Sequence, residues 1–102
     1  MATQTALIIP ADGSPVREVE YQDKDSYRTM SSAVGGTITT CPGFTMDAWA
    51  NDNGFAEGLP LNSRVSQAVR ASYPYGIVGD VVIPKLTPTK RAKLVKMGLL
   101  SE

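Results

Sequence analysis

Two carboxylates, Asp47 and Asp52, stand in the segment "FTMDAWANDNG", the stretch richest in side chains able to do chemistry. A carboxylate pair can share acid–base work when its surroundings separate the two pKa values. Here the spacing has a plainer origin. Asp47 falls on the outward side of an alternating strand, and Asp52 flanks a turn signal. The chain has no histidine, and its single cysteine, Cys41, has no imidazole to deprotonate it. A Ser–His–Asp triad and metal sites built on Cys and His are excluded. The oxygen-rich run "DAWANDNG" also fails as a calcium loop. With Gly54 in the sixth position, Trp49 takes the first and Pro60 the twelfth, where carboxylates are required. No glycine-rich phosphate loop of either common spacing is present. No catalytic residue, metal ligand or cofactor is expected.

Aromatic and basic residues offer binding chemistry instead. Trp49, Phe55, Tyr73 and Tyr75, beside Arg64 and Arg70, are the residue types of a protein-contact patch or a base-stacking platform. Trp49 is the favoured contact residue, because its neighbours in phase, Thr45, Asp47 and Asn51, are polar. Near the C-terminus, Lys90, Arg91, Lys93 and Lys96 make a short basic run. Net charge is zero, but residues 1–60 carry eight acids and three bases, and residues 61–102 carry seven bases and two acids. Either the two halves neutralise each other across one fold, or the basic half meets an anionic partner. A neutral domain lacks the strongly basic footprint of a nucleic-acid binder. A DNA mimic would need a dense acidic face, and only the N-terminal half is acidic. The expected partner is therefore a protein. Nucleic acid ranks second, held through Arg64, Arg70 and the C-terminal lysines, and a small molecule or nucleotide ranks third. A homodimer is compatible with the sequence.

These residues need elements to position them. The run "TALIIPA" reads as a central strand. Asp12-Gly13 signals a tight hairpin turn with positive φ at both positions, and "PVREVEY" is the returning strand. In "DKDSYRTMSSAVGG" the period changes: Tyr27, Met30 and Val34 form a helical stripe, Asp23 or Asp25 caps its start, and Gly35 ends it. "GTITTCP" is a strand with Ile38 and Cys41 inward, and Pro42-Gly43 is a turn. "FTMDAWAN" alternates, with Phe44, Met46, Ala48 and Ala50 on one face and Thr45, Asp47, Trp49 and Asn51 on the other.

The segment "NDNGFAEGLPLN" reads as punctuation. Asn53-Gly54 is a type I′ hairpin signal, Phe55 starts a short return strand, Gly58 and Pro60 redirect the chain, and Asn62 caps a helix. In that helix Val65, Ala68 and Val69 form the apolar stripe. "YPYG" turns the chain. "IVGDVVIP" is the most apolar strand, with Gly79 marking a bulge or a close backbone approach. Thr87-Pro88 starts a last helix with Ala92, Val95 and Leu99 on its inner face.

An ordered series of motifs resembles a phage- and mobile-element-associated family, "domain of unknown function 3846". The motifs are "ALIIPADG", "VGGTI", the strand leading to Asn51, "NGFAEGLPLN" and "GIVGDVVI", spanning residues 6–83. Gly35, Gly36, Asn51, Gly54, Gly58, Pro60, Asn62 and Gly79 fall on these motifs and are expected to be structural. The basic helix over 87–100 lies outside the likeness. The resemblance implies a setting, an accessory gene acting in a bacterial host, and no activity. The fold expected is α+β, a small, mainly antiparallel sheet of about five strands carrying two or three helices. Residues 1–4 are expected to fray, residues 5–86 to form one domain, and the basic C-terminal helix, 87–102, to pack on it. A single cysteine and the absence of a long apolar run near the N-terminus point to the cytoplasm of the host.

Overall fold

Alternation along four residues of the first strand decides the architecture. Ala6 and Ile8 lie on one face and Leu7 and Ile9 on the other, and all four are buried. A strand buried on both sides needs cover on both sides. The computed structural model describes residues 3–101. It holds strands β1 (Thr3–Ile9) and β2 (Arg17–Gln22), a single 3₁₀ turn (Asp23–Asp25) and helix α1 (Ser26–Val34). Strands β3 (Ile38–Thr40) and β4 (Trp49–Asn51), helix α2 (Ser63–Ala68), strand β5 (Val81–Ile83) and helix α3 (Pro88–Lys96) follow.

The five strands form one antiparallel sheet in the order β2-β1-β5-β4-β3. The fold is the expected α+β one, with helices on both faces. On one face α1 buries Met30 and Val34 against Ala6, Ile8, Tyr21 and Val82, with Trp49 and Ile38 at the margin. On the other, Val65 and Val69 from α2 and its C-terminal turn, and Leu94 of α3, pack on Leu7, Ile9, Ala50, Val81 and Ile83. Burying a leucine such as Leu94 contributes about 1.5–3 kcal/mol.

The register explains which expectations hold. Leu7 faces Ile83, Ile8 faces Val82 and Ile9 faces Val81, so the continuous apolar run of β5 splits between the two cores. Trp49 faces Val82 on the α1 side, while Ala48 and Ala50 turn to the α2–α3 side. The faces read from the alternation of 44–51 are the observed ones. Only Trp49–Asn51 pairs as a strand, however, and Phe44 and Met46 pack on the second core from a loop.

Other local expectations are corrected. Thr3 and Gln4, read as frayed, pair with Gln22 and Tyr21, and the rest of that reading (Met1 and Ala2) lies outside the described residues. Asp12-Gly13 sits at the hairpin tip, but pairing stops at Ile8–Arg17 and only Gly13 has positive φ. Asp12 accepts from the Ser14 amide instead, an Asx turn in a wider loop, and hydrogen bonds from Ser14 hold its carboxyl below the usual value. Asp25 occupies the N-cap position of α1 without a side-chain cap bond. Tyr27 points to solvent, and Met30 and Val34 take the buried positions of α1, with Ala33 packed beside them. Gly35 ends α1 in the left-handed conformation, as read. Thr87 caps α3 through a bond from the Lys90 amide, with Pro88 at the start. Ala92 is exposed, and Leu94 takes the inner position.

Candidate functional site

Asn51 and Asn62 bracket the asparagine- and glycine-rich segment, and they are the buried polar side chains of the described residues. Buried amides must be hydrogen-bonded to be tolerated. Asn51 Nδ2 donates to Val34 O at 3.1 Å and to Glu57 Oε1 at 3.4 Å, and its Oδ1 accepts from the Asn53 amide at 2.7 Å. The C-terminus of α1 and the loop after β4 are thereby fixed to one side chain. Gly36 lies against that amide, with room for no larger residue unless it gives. Asn62 Oδ1 accepts from the Val65 amide at 3.2 Å, which is the N-cap read from the sequence. Its Nδ2 adds two bonds, to Ile9 O at 2.9 Å and Gly79 O at 3.0 Å.

Between them the chain turns repeatedly rather than forming a hairpin. Gly54 N donates to Asn51 O, Glu57 N to Asn53 O and Leu59 N to Gly54 O. Gly54 does not have positive φ, so Asn53-Gly54 is not a type I′ turn. Glycine is needed there for space: a Cβ would lie 2.8 Å from Val78 Cγ2. Phe55 consequently does not start a return strand. It is held at the loop tip with 72% of its surface exposed. Gly58 takes left-handed φ and releases the chain towards Pro60. From there Pro60 O accepts from Gly79 N at 2.7 Å, and Leu61 bridges Val78. Gly79, at φ +80°, breaks the run "IVGDVVI" so that its first half pairs with 60–62 and its second with β1 and β4.

This scaffolding shapes a groove of about 490 Å³ on the α2–α3 side of the sheet. Thr39 and Ala50 of the sheet line it, together with Asp52 and Phe55 from the loop after β4 and Tyr73 and Val78 from the segment before β5. Gly76 separates it from a neighbouring bay lined by Leu61, Arg70 and Tyr75. The rings of Tyr73 and Tyr75 meet edge to face with centroids 5.2 Å apart, a favourable aromatic geometry. Tyr75 is 78% exposed and Leu61 53%. The exposed apolar side chains Phe55, Leu61 and Tyr75 thus gather around one groove and its adjoining bay.

The residues read from the sequence as a contact patch divide accordingly. Phe55, Tyr73, Tyr75 and Arg70 come together. Trp49 does not join them: it is half-buried against the α1 core on the opposite face. Arg64 is engaged too, donating to Pro10 O at 2.6 Å. Lys90 donates to Pro84 O at 3.0 Å, and Arg91 pairs with Glu18. Lys93 and Lys96 are exposed on α3. Asp52 lines the groove and Asp47 does not, so the two carboxylates do not share that site. Sequence reasoning missed Thr39 and Val78, which reach the groove only through the β3–β4 register and the break at Gly79. Among the described residues no group of His, Cys, Asp and Glu is placed to hold a metal ion. None of their helices is long and apolar enough to cross a membrane.

Fold and groove define a small three-layer α+β domain with one aromatic-lined recess. The chain belongs to the family described as Domain of unknown function (DUF3846), whose model matches residues 4–95. The match takes in almost all of α3, so the C-terminal helix, which the motif resemblance left out, is part of the family's domain. No curated protein and no solved structure matches the chain.

Proposed function

We propose that this chain is a non-enzymatic binding protein that engages a host protein through the groove between Phe55 and Tyr73. One observation carries the reading. Exposed aromatic side chains, Phe55 and Tyr75, stand around a recess whose walls are fixed by buried amides and close backbone contacts. Rigid aromatic anchors lose little entropy on binding, which is why Tyr and Phe are over-represented at interface cores. The family likeness supports the setting: a phage or other mobile-element accessory protein acting in the cytoplasm of a bacterial host.

The test is a pull-down from nuclease-treated bacterial lysate, with the wild-type chain and a Phe55→Ser/Tyr75→Ser double variant as baits. The expected result is a protein retained by the wild type, identified by mass spectrometry, that binds again when purified and is lost with the double variant. A partner retained equally by the variant overturns the assignment of the groove. A partner lost after nuclease treatment places nucleic acid first.

A further inference from the structure

The groove has a chemical bias beyond its aromatic rim, and on the binding reading above this bias selects the partner. Asp52 is the charged residue of its lining. The Asp52 backbone amide is tied to Thr37 O at 2.7 Å, while its exposed carboxylate has no ion-pair partner among the described residues. Phe55 and Tyr73 line the same groove. A groove lined by one carboxylate and two aromatic residues favours a cation, by Coulomb attraction and by the negative faces of aromatic rings.

The sheet supplies a way to deliver it. Strand β3 is an edge of the sheet. The bonds Asp52 N to Thr37 O and Cys41 N to Ala48 O set the alternation of the β3–β4 ladder. Thr37, Thr39 and Cys41 therefore turn their backbone groups to β4, and Ile38 and Thr40 turn theirs outward. Such an edge is a template for an added strand. Thr39 faces Ala50, so its side chain lies on the groove side of the sheet. A residue placed opposite Thr39 on an added strand projects onto that same side, over the groove.

We infer that the partner is an extended protein segment that pairs with the β3 edge and places an arginine or lysine side chain in the groove, between Phe55 and Tyr73 and beside Asp52. The groove volume of about 490 Å³ is in the range of sites that take one such side chain with room for water.

The probe is a capped pentapeptide, threonine–valine–arginine–valine–threonine, titrated into ¹⁵N-labelled protein, with leucine and glutamate versions as comparisons. The expected result is that the arginine peptide shifts the amides of Ile38, Thr40, Asp52 and Phe55 and binds about tenfold or more tightly than the leucine peptide. Asp52→Asn and, separately, Phe55→Leu are each expected to weaken it several-fold, and Asp47→Asn to leave it unchanged. Equal binding of the leucine peptide at the same amides overturns the basic preference and leaves the groove as a binding site. Shifts confined to other surfaces, or none with any of the three peptides, overturn the inference, while the pull-down with the Phe55/Tyr75 variant judges the binding reading separately.

Discussion

The side-chain amide of Asn62 donates to the carbonyl of Ile9 at 2.9 Å, across 53 positions of sequence. One residue thus closes the N-terminus of α2, the end of β1 and, through Gly79 O, the bend before β5. Its role as a cap is worth about 1 kcal/mol by itself. Removing the whole side chain also takes a buried donor from the carbonyls of Ile9 and Gly79, each bond being worth about 0.5–1.5 kcal/mol. Asn62→Ala is therefore expected to lose about 3 kcal/mol, read from denaturant midpoints.

Asn62→Asp separates the cap from the tie. An aspartate caps as well as asparagine, and on capping alone this variant would be nearly neutral. Here it would aim a buried carboxylate at the carbonyls of Ile9 and Gly79, and its folded pKa would rise. A carboxyl whose folded pKa lies above its unfolded value is least costly below the unfolded value, and its penalty grows as pH rises. The expected outcome is a variant much less stable than wild type at pH 7, with the deficit shrinking towards pH 4. A deficit independent of pH would contradict this account.

Gly54 and Gly58 separate two reasons for glycine. Gly54→Ala is expected to cost about 1–3 kcal/mol through overpacking against Val78, and adding Val78→Ala should recover part of the loss. A Cβ at Gly58 meets nothing within 4 Å, but its φ is +69°. Gly58→Ala should cost about 1 kcal/mol from the left-handed backbone, with no rescue by Val78→Ala. A double-mutant cycle distinguishes them.

Among the described residues, Lys85 is the one non-glycine residue with positive φ, at 51°. Its amide donates to the Tyr21 hydroxyl at 3.1 Å, which holds the backbone there. Lys85→Gly is expected to raise stability by about 0.5 kcal/mol, and Lys85→Val to lower it by about 1 kcal/mol or more. Thermal melts of the two variants give the comparison.

Cys41 is buried, and burial pushes its thiol from 9.0 up to about 12. The folded chain keeps that proton where the unfolded chain loses it. The stability this contributes is present below pH 9.0 and is lost as pH rises towards 12. Iodoacetamide at pH 8 is expected to alkylate Cys41 only as fast as the fold opens, and mass spectrometry with and without denaturant measures the difference. Relative to wild type, Cys41→Ala should flatten the alkaline loss of stability.

Much of this molecule is written locally. The caps at Asn62 and Thr87, the left-handed end of α1 at Gly35 and the two-sided burial around β1 follow from neighbours in sequence. The second role of Asn62 does not, because topology alone brings Ile9 and Gly79 to it. Likewise Asn53-Gly54 carries a strong hairpin signal, but Asn51 takes the Asn53 amide and Val78 crowds Gly54, so tertiary contacts decide the turn. On α3 the apolar residues Ala92, Leu94, Val95 and Met97 are spread around the helix, which left the phase weak and hid Leu94. Trp49 reaches the α1 core because it faces Val82 between β4 and β5, a pairing that its polar neighbours in sequence do not announce.

The alternation in β1 has a consequence for how the molecule comes apart. Ala6 and Ile8 belong to the core under α1, and Leu7 and Ile9 to the core under α2 and α3. Each peptide group in this run is thus shared between two layers that otherwise meet only through the sheet. Releasing α1 exposes one side of the strand on which the other layer is founded. The two cores are expected to melt as a single cooperative unit, with the amides of residues 6–9 exchanging with solvent only when the whole chain unfolds, which native-state hydrogen exchange measures.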